Sequence, residues 1–368
     1  MTNKFGILFI LFSFIAFSCD DSGSDISSNE PSNLVVDIVL SEDTRDVSIT
    51  ATADNVVEYQ FNLGDGSDAV TNSTGMLEYT YAEGGNYSLE IKAFGSSGKF
   101  IRETKTISIE DPDLSGPIDD TGYTSPLSYN GMSLIWNDEF EGSALNETYW
   151  NYEIGTGSGG WGNNELQYYR EDNTSMREGY LLIEARRESF SGSQYTSSRL
   201  TTEGKFDFKY GRVDIRAKMP KGQGLWPALW MLGANFRSVG WPYCGEIDIM
   251  EMIGGTNNED VVHGTAHWDA SGTKADFGGS TRLSSGILND EFHVFTIIWD
   301  ETQIRWLFDD RQYHAMSITP ADLSEFQEEF FFIFNVAVGG NWPGSPNSST
   351  IFPQRMIVDY VRVFQENN

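Results

Sequence analysis

The chain has 368 residues, a length that suits two domains better than one small one. Its net charge is −30, from 24 basic and 54 acidic residues, and this imbalance argues against nucleic acid, whose phosphates would be repelled. An anionic polysaccharide is disfavoured on the same ground, which leaves a neutral glycan as the easier polymeric partner. Ten Trp, sixteen Tyr and twenty-four Phe are many for this length; most serve core packing, and the surplus suits stacking on the apolar C–H faces of sugar rings.

The N-terminal segment reads as targeting sequence. Lys4 supplies a short positive region, and Phe5 to Phe17 form an apolar run too short to span a bilayer. The run ends in Ala16-Phe17-Ser18-Cys19, which resembles a bacterial lipobox. That resemblance implies a signal peptide over 1–18, lipidation of Cys19, and a mature protein anchored by lipid in the bacterial cell envelope, in the outer membrane or at the cell surface. Ordinary signal cleavage beside an incidental cysteine is the competing reading. The only other cysteine, Cys244, lies most of the chain away, so no disulfide is expected and the core alone must hold the fold.

Residues 19–32 are acidic and Ser-rich, and read as a solvated tether. From Leu34 to Ile109, short alternating runs such as VVDIVL, VSITAT and YSLEIKAF predict a small all-β sandwich over 33–110. Within it, Phe61-Asn62-Leu63-Gly64-Asp65-Gly66 precedes Tyr79-Thr80-Tyr81. Asp65 is placed to bond turn amides, and a Tyr bonding back to the backbone would pin a sandwich corner. The combination resembles the PKD domain, an immunoglobulin-like module, which implies a spacer or a weak binding domain.

Residues 111–128 hold three Pro, two Gly and four Asp, and are expected to form a linker. The remaining residues, 129–368, show recurrent strand-like runs (LIWNDEF, YLLIEAR, RVDIRAKM, PALWML, EIDIME, HVFTIIWD, FFFIFNVAV) with turn residues between them. Ala321 to Glu329 leaves room for one short helix. Two large packed antiparallel sheets, a jelly-roll sandwich, are the expected solution.

Gly245-Glu246-Ile247-Asp248-Ile249-Met250-Glu251 is the most informative stretch. Side chains alternate along a strand, so Glu246 and Asp248 share a face while Ile247 and Ile249 point to the core. Glu251 has the wrong parity unless a β-bulge near Ile249-Met250, with Met250 as the inserted residue, returns it to the acidic face. The alternative, a buried and unpaired Glu251, would cost several kcal/mol or force its protonation. Two carboxylates flanking a bond are what glycoside hydrolysis needs, one to attack the anomeric carbon and one to protonate the leaving oxygen.

This string resembles the E-x-D-x-x-E signature of glycoside hydrolase family 16 in the bulged form of its laminarinase-like members. WNDEF (136–140), GWGNNELQYY (160–169), GLWPALWML (224–232), VHGTAHW (262–268), VAVGGNWPG (336–344) and DYVRVF (359–364) extend the resemblance over 132–366. It implies a concanavalin A-like jelly roll with a concave cleft and a retaining mechanism. Glu246 is then the nucleophile, Asp248 its assistant and Glu251 the acid/base. The activity implied is endo-cleavage of β-1,3-glucan and of mixed-linkage glucan; another family-16 polysaccharide (agar, carrageenan or porphyran) and non-catalytic glucan binding are the alternatives.

Trp226 and Trp230, four apart on one strand with Ala228 between them, suit a stacking platform for sugar. Asn164 and Glu165, in the loop after Trp161, are expected as hydroxyl partners, and Arg199 as a forked donor. His267 is expected beside the acid/base, and Asn335, Asn341 and Trp342 on a glycine-flexed rim. His263 and His267 share strand parity but lack a third ligand in register, so a metal pair is disfavoured. Catalysis needs no cofactor, and the resemblance implies a structural calcium held by backbone carbonyls of Glu139 and Gly179 and the side chain of Asp359. The polysaccharide and the membrane are the expected partners of a chain read as a monomer.

Overall fold

The computed structural model describes residues 30–41, 45–81, 84–109, 116–319 and 321–367; Cys19 and the predicted signal peptide lie outside them. The chain divides into two compact units, Met1–Gly116 and Pro117–Asn368.

The first unit is all-β. One sheet pairs Ser32–Leu40, Asp46–Asp54 and Met76–Thr80; the other pairs Val70–Asn72, Glu58–Asn62, Gly85–Phe94 and Phe100–Ile109. The alternate residues Val47, Ile49, Phe61, Leu89 and Ile91 are fully or almost fully buried between them, as period-2 patterning requires. The Tyr81 hydroxyl donates to the Leu63 carbonyl at 2.9 Å, and Asp65 accepts from the Ser67 amide at 3.0 Å and from the Tyr79 hydroxyl. The turn and the tyrosine strand are thus tied at one corner of the sandwich.

The second unit is a two-sheet jelly-roll sandwich. The sheet that carries the acidic stretch contains Asn151–Tyr152 (β1), Arg199–Thr201 (β2), Leu225–Gly233 (β3), Glu246–Glu251 (β4), Val261–Asp269 (β5), Lys274–Arg282 (β6) and Phe330–Val338 (β7). Their order in space is β6-β5-β4-β3-β7-β2-β1. An eight-stranded sheet that includes Gly211–Lys218, His293–Trp299 and Gln354–Glu366 packs behind it. Between the two lies an apolar layer of Ile215, Met231, Ile247, Ile297, Phe332, Phe334, Val358 and others. The short helix falls at Ala321–Gln327 and is of 3-10 type.

The expected linker ends earlier than its composition suggests. Residues from Pro117 onward belong to the second unit. Arg216 is buried, and it donates to the carbonyls of Asp120 and Tyr123, both at 2.7 Å, and to the Asp120 carboxylate. The Ser125 amide donates to the Tyr360 hydroxyl at 2.8 Å, and the Tyr129 hydroxyl to Asp214 at 2.6 Å. A Pro/Gly/Asp-rich segment is favoured here because its backbone oxygens and carboxylates supply acceptors that buried arginine requires.

Candidate active site

The bulge in β4 is present. Against β3 the pairs are Glu246 with Leu232, Ile247 with Met231 and Asp248 with Trp230; then Met250 pairs Leu229 and Glu251 pairs Ala228. Ile249 is therefore the residue left over on that side, not Met250. Against β5, Asp248 pairs Thr265 and Glu251 pairs His263, again with one residue too many on β4. Ile249 and Met250 both bury in the core, at 2% and 0% exposure. Two consecutive core-facing residues shift the parity, so that Glu246, Asp248 and Glu251 share the opposite face.

The strand behind this row is held by aromatic packing. Trp306 donates its indole N–H to the Asp248 carbonyl at 2.8 Å. It reaches that position because residue 264 is glycine: a Cβ there would lie 2.4 Å from Trp306 and 2.5 Å from the Tyr313 hydroxyl.

Burial pushes all three carboxyls up, because a low-dielectric site disfavours their charged forms. Glu246 is pushed to about 7, by desolvation first and then by the neighbouring Asp248 charge. Asp248 is raised by desolvation, and Glu251 well above the carboxylate range by desolvation and by the charges of Asp248 and Glu246. The opposing groups are unevenly shared. Glu246 faces His267 at 3.6 Å, accepts a hydrogen bond from Trp241 and feels Arg199, all of which favour its carboxylate. Glu251 accepts a hydrogen bond from the Trp226 indole at 3.0 Å, and His267 favours its carboxylate less than that bond does. The environment therefore divides two glutamates into one that ionises more readily and one that keeps its proton.

Aromatic side chains border the row at both ends. Trp342, 43% exposed, stands edge-on to Trp226 with ring centroids 5.6 Å apart and packs on His263 at 5.0 Å. Trp241, also 43% exposed, lies near His267 beside Glu246, with Lys274 above its ring at 5.4 Å. Across the sheet, Arg199, Asn335, Ala228, Glu251 and His263 are consecutive register partners. The small Ala228 leaves space next to Glu251, between the two indoles of β3. Arg199 lies between the rings of Trp161 and Trp230, at 4.4 and 4.9 Å, and is also bound by Glu153.

Several expected residues take different places. Glu165 is held by the protein itself: its carboxylate accepts from Asn163 at 3.1 Å, Gln167 at 2.7 Å and Tyr169 at 3.3 Å. The exposed Asn164 donates to Asn341 at 2.8 Å. Asn335 is buried in the middle of β7, not on a rim. His267 pairs Glu246 across the strands and approaches Asp248 to 3.1 Å, whereas His263 is the partner of Glu251. Sequence reasoning missed Trp241, Tyr169 and Glu153. A Trp beside Pro242, in a turn-rich stretch between two apolar runs, was the signal for the first; the others are legible only once β2 and β7 are paired.

Glu139, just past Met132–Asp138, and Gly179, just before Tyr180–Ala185, come beside Asp359 in the interior of Gln354–Glu366, since Asp138 pairs Val361, Arg177 pairs Tyr180 and Leu181 pairs Val358. Arg362 takes both carboxylate oxygens of Glu139, at 2.8 and 2.7 Å, so a backbone carbonyl is what Glu139 has left to offer a cation. Asp359 gives one oxygen to Arg216 at 2.7 Å and keeps the other. This donor set fits a hard, oxygen-seeking ion.

Residues 161–362 match the family described as glycosyl hydrolases family 16. A beta-glucanase of Rhodothermus marinus is 44% identical over 250 residues, 63% of this chain and 85% of that protein. Glucan endo-1,3-beta-glucosidase A1 of Niallia circulans is 38% identical over 69% of this chain, which spans 41% of that longer protein. Among solved structures, the laminarinase catalytic domain of Thermotoga maritima MSB8 is 47% identical, with a TM-score of 0.60, and covers 65% of this chain and 100% of its own.

Proposed function

The chain belongs to glycosyl hydrolases family 16, and on that footing we propose that it is a retaining endo-β-1,3-glucanase that also accepts mixed β-1,3/1,4-linkages. The observation that carries this reading is the bulged β4, which sets Glu246, Asp248 and Glu251 on one face between exposed indoles.

Glu246, the readier to ionise, attacks the anomeric carbon while Glu251 passes its proton to the glycosidic oxygen. The C–O bond breaks, the reducing-end fragment leaves, and a glycosyl ester to Glu246 remains. Glu251, now a carboxylate, takes a proton from water; the water oxygen bonds to the anomeric carbon and Glu246 is released. Two displacements return the original configuration. Asp248 lies between the two and steadies the nucleophile. Trp226, Trp230 and Trp342 stack on sugar rings, while Arg199 and Asn164 bond their hydroxyls. No cofactor enters the reaction. Calcium held by Glu139, Gly179 and Asp359 would tie two strand ends to the interior of a third strand, away from the chemistry.

Laminarin, lichenan, agarose and κ-carrageenan, offered in parallel with linkage and anomer analysis of the products, test the reading. Release of β-configured oligosaccharides from laminarin is expected, and its loss in Glu246→Gln and Glu251→Gln. Unchanged activity in either variant, or cleavage of a galactan alone, overturns it.

The N-terminal sandwich acts as a PKD-like spacer, and the Tyr81–Leu63 tie supports that assignment. Cys19 carries a lipid that holds a monomeric enzyme in the bacterial envelope. Detergent-phase partitioning that survives Cys19→Ala would remove the anchor from this account.

A further inference from the structure

One chain of hydrogen bonds runs from the Gly/Asn-rich loop to the sheet that carries the acidic row, and the catalytic scheme does not use it. The Trp230 indole N–H donates to Asn335 Oδ1 at 2.8 Å. The Asn335 amide donates through Nδ2 to the Tyr169 hydroxyl at 3.2 Å, and that hydroxyl donates to Glu165 at 3.3 Å. Tyr169 is fully buried and Asn335 nearly so, at 5% exposure.

Each member has only one consistent orientation. An indole nitrogen donates and never accepts, so the Asn335 oxygen must face Trp230 and its NH₂ must face Tyr169. The phenol oxygen, already accepting from Asn335, is left to donate to the carboxylate. Burial and the Glu165 charge hold the Tyr169 proton well beyond the ordinary phenol range, which keeps it a donor. Glu165 is fixed in turn by Asn163 and Gln167, and Gln167 caps the Val338 amide of β7 at 2.7 Å. The chain ends on an anion, so every dipole along it points the same way.

The loop that carries Glu165 is itself wound tightly. Gly159, Gly160, Trp161, Gly162 and Asn164 all have φ between 54° and 83°. Trp161 is not glycine, and its left-handed backbone costs on the order of 1 kcal/mol. Its indole packs on Tyr169 at 5.5 Å and on Arg199 at 4.4 Å, so a conformation the side chain resists is retained where it braces this network.

We propose that Tyr169 is a positioning residue for sugar binding, which transmits the orientation set by Glu165 through Asn335 to the indole of Trp230. Removing its hydroxyl leaves the Asn335 NH₂ without an acceptor and frees the amide to turn. Trp230 then loses its fixed acceptor and the stacking plane it offers. The role of Trp230 as a sugar platform rests on the glucanase reading; the hydrogen-bond relay does not.

Tyr169→Phe keeps the buried ring and removes only the relay. The indole resonance of Trp230, identified by its loss in Trp230→Phe, is followed by ¹⁵N correlation spectroscopy without any glucan present. It shifts in Tyr169→Phe if the relay exists; an unmoved resonance overturns the proposal whatever the enzyme cleaves. On laminarin, KM rises roughly five- to tenfold, as expected for one lost orienting hydrogen bond, while kcat stays within about twofold. In the Trp230→Phe background the same substitution leaves KM essentially unchanged. KM effects that add across the two positions, or a fall confined to kcat, overturn the positioning role. Failure of the wild-type chain to cleave laminarin, with a shifted indole resonance, removes the glucanase reading and leaves the relay standing.

Discussion

Trp226 donates its indole N–H to Glu251 Oε1 at 3.0 Å, from a residue one strand away and on the same face. A donor favours the charged form of its acceptor, so this bond works against the desolvation that keeps Glu251 protonated. It is also the contact that aims the acid, because burial leaves the carboxyl few other partners. Trp226→Phe retains an apolar ring beside Trp342 and deletes the donor. The alkaline limb of the kcat/KM profile, which reports loss of the acid's proton, should move to higher pH, and kcat should fall roughly tenfold. A pH–rate series on wild type and variant checks this; a limb that moves downward refutes the assignment of Glu251 as the acid.

Asp248 adds the second largest upward push on Glu246, after burial itself. Asp248→Asn removes that charge while preserving shape and a hydrogen-bonding edge. Glu246, pushed up to about 7 by burial and by that charge, should then ionise at lower pH, so the acid limb shifts downward. The rate at the optimum falls nonetheless, by about 10²-fold, because His267, 3.1 Å from Asp248 and 3.6 Å from Glu246, loses the carboxylate that holds it beside the nucleophile. If the acid limb stays in place, Asp248 is not coupled to the nucleophile.

The sandwich class and the acidic row were legible because both depend on short-range patterning. Period-2 alternation marks β4 as a half-buried strand, and the parity of Glu251 demands one extra residue. Which residue it is was not legible: Ile249 and Met250 are both apolar, both bury, and only the partner strand decides between them. The partners of Glu165 were not legible, because an acid in a glycine-rich loop looks solvent-facing, whereas Gln167 and Tyr169 reach it through a turn that composition does not specify. Asn335 did leave a trace, a single polar residue inside FFFIFNVAV, and in a strand so apolar that exception marks the face turned toward the cleft.

The segment from Pro117 to Ser128 should behave as part of the catalytic unit. Arg216 has a side chain 3% exposed, its ring-face contact is Phe292 at 4.5 Å, and most of its acceptors come from Asp120 and Tyr123. Cutting the chain at 129 strands this guanidinium with Asp359 alone, and breaking a buried pair by removing partners costs about 3–5 kcal/mol. A chain beginning at 117 should therefore melt on the order of 10 °C above one beginning at 129 in calorimetry. Equal melting temperatures would return the segment to the status of a free linker.

The same burial that suits Glu246 to its task makes it a burden on stability. Its ordinary value is 4.5 and its folded value about 7, so the folded state binds the proton more tightly than the unfolded one. The stabilisation that results is complete below about 4.5 and is lost as pH rises through 7. Glu246→Gln carries no such charge, so it should equal the wild type in stability near pH 4 and exceed it progressively up to pH 7. Above that the gap levels off at up to about 3 kcal/mol, the worth of a shift of this size. In a unit of this length the melting temperature rises by several degrees. Thermal melts of wild type and variant at half-unit pH steps read the difference directly. A gap that stays constant between pH 4 and 7 would mean that Glu246 is not held in the desolvated setting its strand and neighbours imply.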